Sequence, residues 1–488
     1  MLYLPRTGHM WDPSIVYHDG VYYLFSMYCR DGQECVNVWC ASSTDGVHFT
    51  DFGIVIEDQP VPVWKMFVNR YHDAFIMNHG SFSGVPGHGN DTLRFFQSQD
   101  LVNWRYCGTG CDLHPDPRWY CEQERFDHMY TLEYNAKWYG YVVATPIPGG
   151  VSSGCGLMES VDGLHWKPLP PPVIEWGDVP PTNFEVGGCE QVEGKFYLIG
   201  GTAGYCGNAG YSVYTFEAEH PVGPFRPCMP RYRLCGSSRA DDFSGVQWLA
   251  SFGRGAHDEI LLTNYMTAQS SDSVNFIGTR QKVWLLPIKK AVRGPKQELA
   301  MGYWPNNELL KGKRLPELSG KVELNAADGK LPGLSDQKGN RHVVQWWTDC
   351  PENGLVVEGR VRVSGGKRLN AARFGFLLGN EKQSTLLSLP VEDERFANAE
   401  IRRIENLAFE QSRLLDELDM YCAGVHSFTK DREHFFRLFC RKGMFELYVD
   451  ELLVQSYVMD DQASVQCGFY LLNGQAWIDH LGAYEMTL

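Results

Sequence analysis

The sequence has no run of about eighteen apolar residues, which excludes a membrane-spanning helix. Positive charge is scarce: 44 Lys and Arg stand against 59 Asp and Glu, a formal net charge of −15. That balance argues against nucleic acid or an anionic membrane as a partner. The start, Met-Leu-Tyr-Leu-Pro-Arg, has no basic segment followed by an apolar one, so a cytoplasmic location is expected. There is no phosphate-cradling glycine loop, no dinucleotide fingerprint, no H-E-x-x-H and no G-x-S-x-G; Gly80-Ser-Phe-Ser-Gly84 carries Phe82 at its centre. The 15 cysteines include no C-x-x-C pair, and His72, His79 and His128 show no zinc-site spacing. Reduced, mostly buried thiols are expected, with no metal and no cofactor.

What is present points to β-structure. Over 488 residues, 43% are hydrophobic and 13% aromatic, enough for large cores in more than one domain. The stretch Trp11-Asp12-Pro-Ser-Ile-Val-Tyr-His-Asp-Gly20-Val-Tyr-Tyr-Leu-Phe25 reads as a strand, a tight turn and an aromatic strand, with Asp12 at its mouth. The arrangement returns at Asp127, with a turn at Asn135-Ala136-Lys137, and at Glu185, with a turn at Glu193-Gly194. Three carboxylates at one end of a repeated hairpin would lie on one face of whatever the repeats build.

A second repeat supports the first. Ser-x-Asp-x-x-x-aromatic occurs at Ser43–Phe49, Ser98–Trp104, Ser160–Trp166 and Ser270–Phe276, with a degenerate copy at Glu217–Phe225. The acids at 45, 100, 162, 219 and 272 are 55, 62, 57 and 53 residues apart. Five near-regular copies of about four short strands each predict a five-bladed β-propeller, whose first strands line a central funnel. By the same spacing, blades two and five open near Asp73 and near Asp241-Asp242. The pattern stops near Tyr303-Trp304-Pro305, giving a propeller over 1–305, a linker over 306–318 and an antiparallel β-sandwich over 319–488. Within the sandwich, 397–420 fits helical spacing and a twisted strand pair equally well. The fold class is all-β throughout.

Cleaving a glycosidic bond takes one carboxyl to protonate the leaving oxygen and another to attack the anomeric carbon or to activate water. A third can bind hydroxyls and raise the acid's pKa by like-charge repulsion. Asp12, Asp127 and Glu185 meet that specification. The longer Glu185 is the proton donor and Asp12 the nucleophile or base; a turn residue before Pro13 and a hairpin-end surface acid are the plain alternatives. Glu190 rivals Glu185, but five residues along a regular strand it would face the opposite side. Arg125 binds a sugar hydroxyl or holds Asp127 ionised, unless it is an ordinary surface ion pair. Trp11, Trp64, Phe82 and Trp176 offer walls for a sugar ring, although most aromatics here pack between blades. Asp73 joins the substrate-binding set as a blade opening, with a turn cap as its alternative role.

At these residues the chain resembles the five-bladed propeller glycosidases, the clan of glycoside hydrolase families 32 (invertase, inulinase, levanase) and 43 (arabinofuranosidase, xylosidase). The fructosidase motif Trp-Met-Asn-Asp-Pro-Asn-Gly stands here as His9-Met-Trp-Asp12-Pro-Ser-Ile15, whose flank is closer to the arabinosidase type. Ser81-Phe82-Ser-Gly84 partly resembles Trp-Ser-Gly-Ser; Arg125-Phe-Asp127-His128 stands for Arg-Asp-Pro; of Glu-Cys-Pro-Asp only Glu185 remains. Glu446–Asp450 resembles a fructosidase sandwich strand. The resemblance implies an exo-acting furanosidase that retains configuration, with Asp12 as nucleophile, Glu185 as acid/base and Asp127 as stabiliser. An inverting arabinofuranosidase or xylosidase type, with Asp12 as base, a glycosyl-transferring variant and a non-catalytic carbohydrate-binding propeller are the alternatives. The implied partner is an oligosaccharide or small glycoside, and a homo-oligomer is compatible with the sequence.

Overall fold

A computed structural model describes residues 2–30, 32–81, 92–147, 154–177, 179, 184–203, 211–229, 231–236, 247–269, 280–315, 320–326, 334–335, 340–365, 372–391, 399–418, 428–459 and 465–488. It resolves into two compact units, Leu2–Gly236 with Asp242–Asn306, and Asn307–Leu488.

The first unit is built of antiparallel hairpins. Blade one comprises His9–His18, Val21–Cys29, Asn37–Ser43 and Thr50–Ile56; blade two Val63–Tyr71, Ala74–Ser81, Thr92–Ser98 and Arg105–Tyr106. Blade three comprises Phe126–Tyr134, Lys137–Ala144, Gly154–Ser160 and Lys167–Leu169; blade four Glu185–Val192, Lys195–Ala203, Tyr211–Ala218 and Arg226–Pro227. Blade five opens on Ser251–Arg254, which pairs in parallel with blade one's first strand at Val16↔Arg254 and so closes the ring. The inner turns are tight because two successive residues adopt positive φ: Asp19 (46°) and Gly20 (82°), Asn135 (52°) and Ala136 (57°), Glu193 (47°) and Gly194 (90°). That backbone matches the right-handed twist of the strands it joins.

The Ser-x-Asp repeat is a turn-builder. In each described copy the serine hydroxyl donates to the aspartate, at 2.8 Å for Ser43–Asp45 and 3.0 Å for Ser98–Asp100 and Ser160–Asp162. The same carboxylate oxygen accepts the amides two and three residues on. The degenerate copy differs: Glu217 stands in the serine position and takes Lys195 at 3.3 Å, and the repeat acid Glu219 lies 3.8 Å from the same Nζ. Ser270–Phe276 and Asp241-Asp242 lie outside the described residues.

Each inner strand of blades one to four carries one bulge near its opening end. The register shifts between Trp11 and Ser14, between Trp64 and Met66, between Asp127 and Met129, and between Val186 and Gly188. The displaced residues are Asp12-Pro13, Lys65, His128 and Gly187. A bulge re-aims a side chain out of the pleat's alternation, which is why bulges gather beside active sites.

Two antiparallel sheets form the second unit. One runs Lys311–Arg314, Gln475–Met486, Leu355–Ser364, Glu433–Arg441, Met444–Val449, Leu452–Val458; the other runs from Leu334–Ser335 and Arg341–Asp349 through Gln466–Leu472, Arg373–Gly379 and Gln383–Pro390 to Ala399–Glu405 and Arg413–Leu418. Alternation sets the faces: Leu355, Val357, Val361 and Val363 enter the core with Phe374, Phe376 and Phe469, while Arg360 and Arg362 point away. The ambiguous 397–420 segment is therefore a strand pair over its described part. Lys311–Arg314, read from sequence as linker, is an edge strand on Gln475–Met486.

One cysteine expectation fails. Cys29 and Cys35 form a disulfide across the loop between blade one's second and third strands. Pairing depends on which Cβ atoms the strands bring together, which no spacing rule supplied. Cys40, Cys155, Cys189, Cys228, Cys440 and Cys467 are free and buried. Among the described residues no helix is long and apolar enough to cross a membrane.

Candidate active site

The three sequence-selected acids open the first strands of blades one, three and four, all at the bulged end. Their seats differ. Asp12 lies within its bulge, Asp127 immediately before one, and Glu185 two residues before one. Asp12 holds φ 50°, a left-handed backbone that aspartate tolerates better than most residues and that turns its carboxyl away from regular alternation.

Asp12 is buried and accepts the Tyr265 hydroxyl at 2.7 Å. Burial pushes its pKa up and Glu185 adds to that; Lys65, the Tyr265 hydrogen bond and His128 work the other way. Asp127 is fully buried. Arg125 donates from Nε to Asp127 Oδ2 at 2.8 Å and from Nη1 to Glu185 Oε1 at 3.1 Å, so one guanidinium spans two of the acids. His128 Nδ1 lies 2.7 Å from Asp127 Oδ1, and its Nε2 lies 2.9 Å from the Val186 carbonyl oxygen. Burial alone would raise Asp127, but Arg125 and then His128 outweigh it and hold the carboxyl well below the usual range. Glu185, about a quarter exposed, takes the Tyr211 hydroxyl on Oε2 at 2.7 Å. Gly80 matters to this geometry: a Cβ there would lie 2.7 Å from the Asp127 Cβ and 3.0 Å from its Cα.

Trp64 stands over the Arg125 guanidinium at 6.0 Å, and Ser81, buried, pairs opposite Val63 beside it. Trp11 is a support more than a free wall. It is 6% exposed and packs on Trp248 (5.7 Å) and Tyr265 (5.8 Å), and Trp248 packs in turn on Tyr211 (5.1 Å). This aromatic chain fixes both tyrosines that hold Asp12 and Glu185. Trp176 packs on Phe184 and Phe216 within blade four. Phe82 lies outside the described residues.

Two expectations need correction. Blade two opens on Val63–Tyr71, so Asp73 sits exposed in the turn at the far end of that hairpin. The acid-first pattern of blades one, three and four is replaced there by Val63-Trp64-Lys65. Glu190 does not face away from Glu185: the bulge at Gly187 resets the alternation, pairing Glu185 with Gly201 and Glu190 with Tyr197, which share one face of their strand. Glu190 is instead 1% exposed and occupied, taking the Tyr130 hydroxyl and Arg254 Nη2, each at 2.5 Å.

Sequence reasoning missed Lys65, Tyr211 and Tyr265, and weighed His128 only for a metal, not as the partner of Asp127. Only Lys65 carried a signal, as the single charge within the apolar run Val63–Val68. The tyrosines are indistinguishable in sequence from the many others that pack blades. Among the described residues no group of three or more His, Cys, Asp or Glu is placed to hold a metal ion.

No protein-family model and no curated protein sequence matches the chain. Solved structures do. The glycoside hydrolase family 32 β-fructofuranosidase of Bombyx mori superposes with a TM-score of 0.66 at 14% identity, covering 99% of this chain and 92% of that one. The sucrose-6-phosphate hydrolase of Lactobacillus gasseri gives 0.66 at 12%, over 97% and 91%. The exo-inulinase of Aspergillus awamori gives 0.65 at 13%, over 99% and 97%. Over nearly its whole length, this chain is similar in fold to the family 32 fructofuranosidases: a five-bladed propeller with a β-sandwich.

Proposed function

We propose that this protein is an exo-acting glycoside hydrolase that releases a terminal furanoside, β-fructofuranoside first, with retention of configuration. The supporting observation is the placement of Asp12, Asp127 and Glu185 at the same end of three inner strands, with Arg125 tying Asp127 to Glu185. A fold similar to that of enzymes named for sucrose and inulin chemistry adds weight.

In this reading Asp12 attacks the anomeric carbon while Glu185 protonates the departing oxygen. Water then enters from the same face, Glu185 removes its proton, and the Asp12 ester is cleaved. Asp127, kept ionised by Arg125 and His128, is a buried negative charge that stabilises the positive charge developing in the transition state and holds Arg125 against Glu185. Tyr265 and Tyr211 hold the two reacting carboxyls in one rotamer each. The flank Asp12-Pro-Ser-Ile15 favours a second assignment, an inverting furanosidase with Asp12 as base.

The test is sugar release from fructosides, arabinofuranosides and galactofuranosides by the wild type, Glu185→Gln and Asp12→Asn. Both variants should lose about 10²- to 10⁴-fold, with part of the Glu185→Gln loss recovered on an aryl glycoside, whose leaving group needs no proton. The anomer first seen by NMR separates retention from inversion. Sugar binding without release from any member of the panel would leave a lectin-like propeller.

A further inference from the structure

Lys65 is the buried charge that the three-carboxylate reading leaves unused. Its side chain is 0% exposed, and among the described residues its Nζ has no hydrogen-bond partner. Its Nζ stands over the Phe67 ring, 5.1 Å from the centroid. An ammonium in that state has lost its hydration without replacement, which is costly unless other charges hold it. Its neighbours on the strand, Trp64, Met66 and Phe67, would accept an apolar side chain equally well. A charge kept at such a position asks for a use.

Position suggests the use. Lys65 is the extra residue of blade two's bulge, as Asp12 is part of blade one's and His128 is blade three's. The backbone device that turns Asp12 into the site turns Lys65 as well. Two carboxylates act on Lys65, Asp12 and Glu185, each favouring its charged form against the burial that opposes it. From the other side, Asp12 faces Lys65 on blade two, His128 on blade three, Glu185 and Tyr211 on blade four, and Tyr265 on blade five. Arg125 is committed to Asp127 and Glu185, and His128 stands against Asp127. Unlike Arg125 and His128, Lys65 makes no hydrogen bond to a carboxylate among the described residues, and so is not committed elsewhere.

We propose that Lys65 is a positioning residue of this site: its buried ammonium is the counter-charge that keeps the Asp12 carboxylate ionised. The consequence for catalysis rests on the furanosidase reading above; the charge coupling does not. Burial raises Asp12 and Lys65 restrains the rise, so removing the ammonium moves the Asp12 titration to higher pH. A nucleophile or base must be ionised, so the acid limb of any activity profile moves up with it.

The test is a pH titration of Asp12 by NMR in full-length protein carrying ¹³C-carboxyl aspartate, the resonance assigned by its loss in Asp12→Asn. In Lys65→Met the midpoint should rise by about one pH unit, and Lys65→Arg should return it most of the way. An unmoved midpoint in folded Lys65→Met overturns the proposal. Should Lys65→Met fail to fold, the reciprocal measurement decides, because coupling between two sites is mutual. Asp12→Asn must lower the Lys65 titration, followed at ¹³Cε, by a comparable amount, and an unchanged value overturns the proposal. Coupling observed in a protein that releases no sugar would sink the furanosidase reading and leave the Lys65 assignment standing. With an active substrate, an acid limb unmoved in Lys65→Met would sink the assignment while the enzyme stood.

Discussion

Arg125→Met tests the electrostatic frame of the site most directly. The guanidinium makes two charge-assisted hydrogen bonds, to Asp127 at 2.8 Å and to Glu185 at 3.1 Å, and Asp127 has no exposure to water. Removing one partner of a buried pair costs about 3–5 kcal/mol, because the other charge stays behind unpaired. Arg125 keeps 26% of its side-chain exposure, so water can take up part of its role, and about 3 kcal/mol is expected. At roughly 2 °C per kcal/mol for a large domain, the melting temperature should fall by about 6 °C near neutral pH. The pH dependence identifies the cause. Asp127 is held below its ordinary value in the folded state, so its stabilisation is present above about pH 4 and is lost as pH falls through the lower folded value. Without Arg125 that depression shrinks, so the wild-type advantage should narrow as pH falls from about 7 to about 3. In an Asp127→Asn background, Arg125→Met should cost less by at least about 1.5 kcal/mol. Thermal unfolding by circular dichroism across that range, with both single variants and the double, measures all three. A stability gap that is constant with pH, or additive single variants, would refute the reasoning.

Gly80→Ala should disturb the site more than the fold. Its Cβ would press on Asp127 backbone and side chain, costing about 1–3 kcal/mol by overpacking while turnover per folded molecule falls at least tenfold, read by melting and kinetics on one preparation. Tyr265→Phe removes the 2.7 Å hydrogen bond to Asp12, and since that bond favours the ionised form, the acid limb of kcat/KM should move to higher pH by a few tenths of a unit. Glu190→Gln should cost about 1–2 kcal/mol, because the buried Tyr130 hydroxyl loses a charged acceptor while the half-exposed Arg254 can turn to water, whereas KM should stay within about twofold. A large KM change with intact stability would instead return Glu190 to the sugar. Asp45 and Asp162 are held at about 2 by their turns, against the burial that opposes it, so both stabilise above about pH 4 and cease to as pH approaches 2. Asp45→Asn with Asp162→Asn should therefore lower the melting temperature near neutral pH and flatten its fall in acid.

The all-β class, the five repeats and the sandwich were legible because β-structure writes a local signature. Period-two alternation, a turn at a fixed offset and Ser-x-Asp at near-equal spacing each need only neighbours along the chain. Asp12, Asp127 and Glu185 were legible for the same reason, as acids at the mouth of a repeated hairpin. Asp73 failed because blade two breaks that local rule, opening on Val63-Trp64-Lys65 where blades one, three and four present an acid. The faces of Glu185 and Glu190 could not be read either: one extra residue at Gly187 reverses the alternation, and nothing nearby in sequence marks a bulge as distinct from a regular strand. What only the tertiary structure decided is which groups hold which carboxylate. Arg125 reaches 60 residues along the chain to Glu185, Tyr265 reaches 253 to Asp12, and Gly80 clears the space that Asp127 fills. Hairpins are set by residues in sequence contact; the charges and hydroxyls that tune a site come from different blades, and meet only when the ring closes.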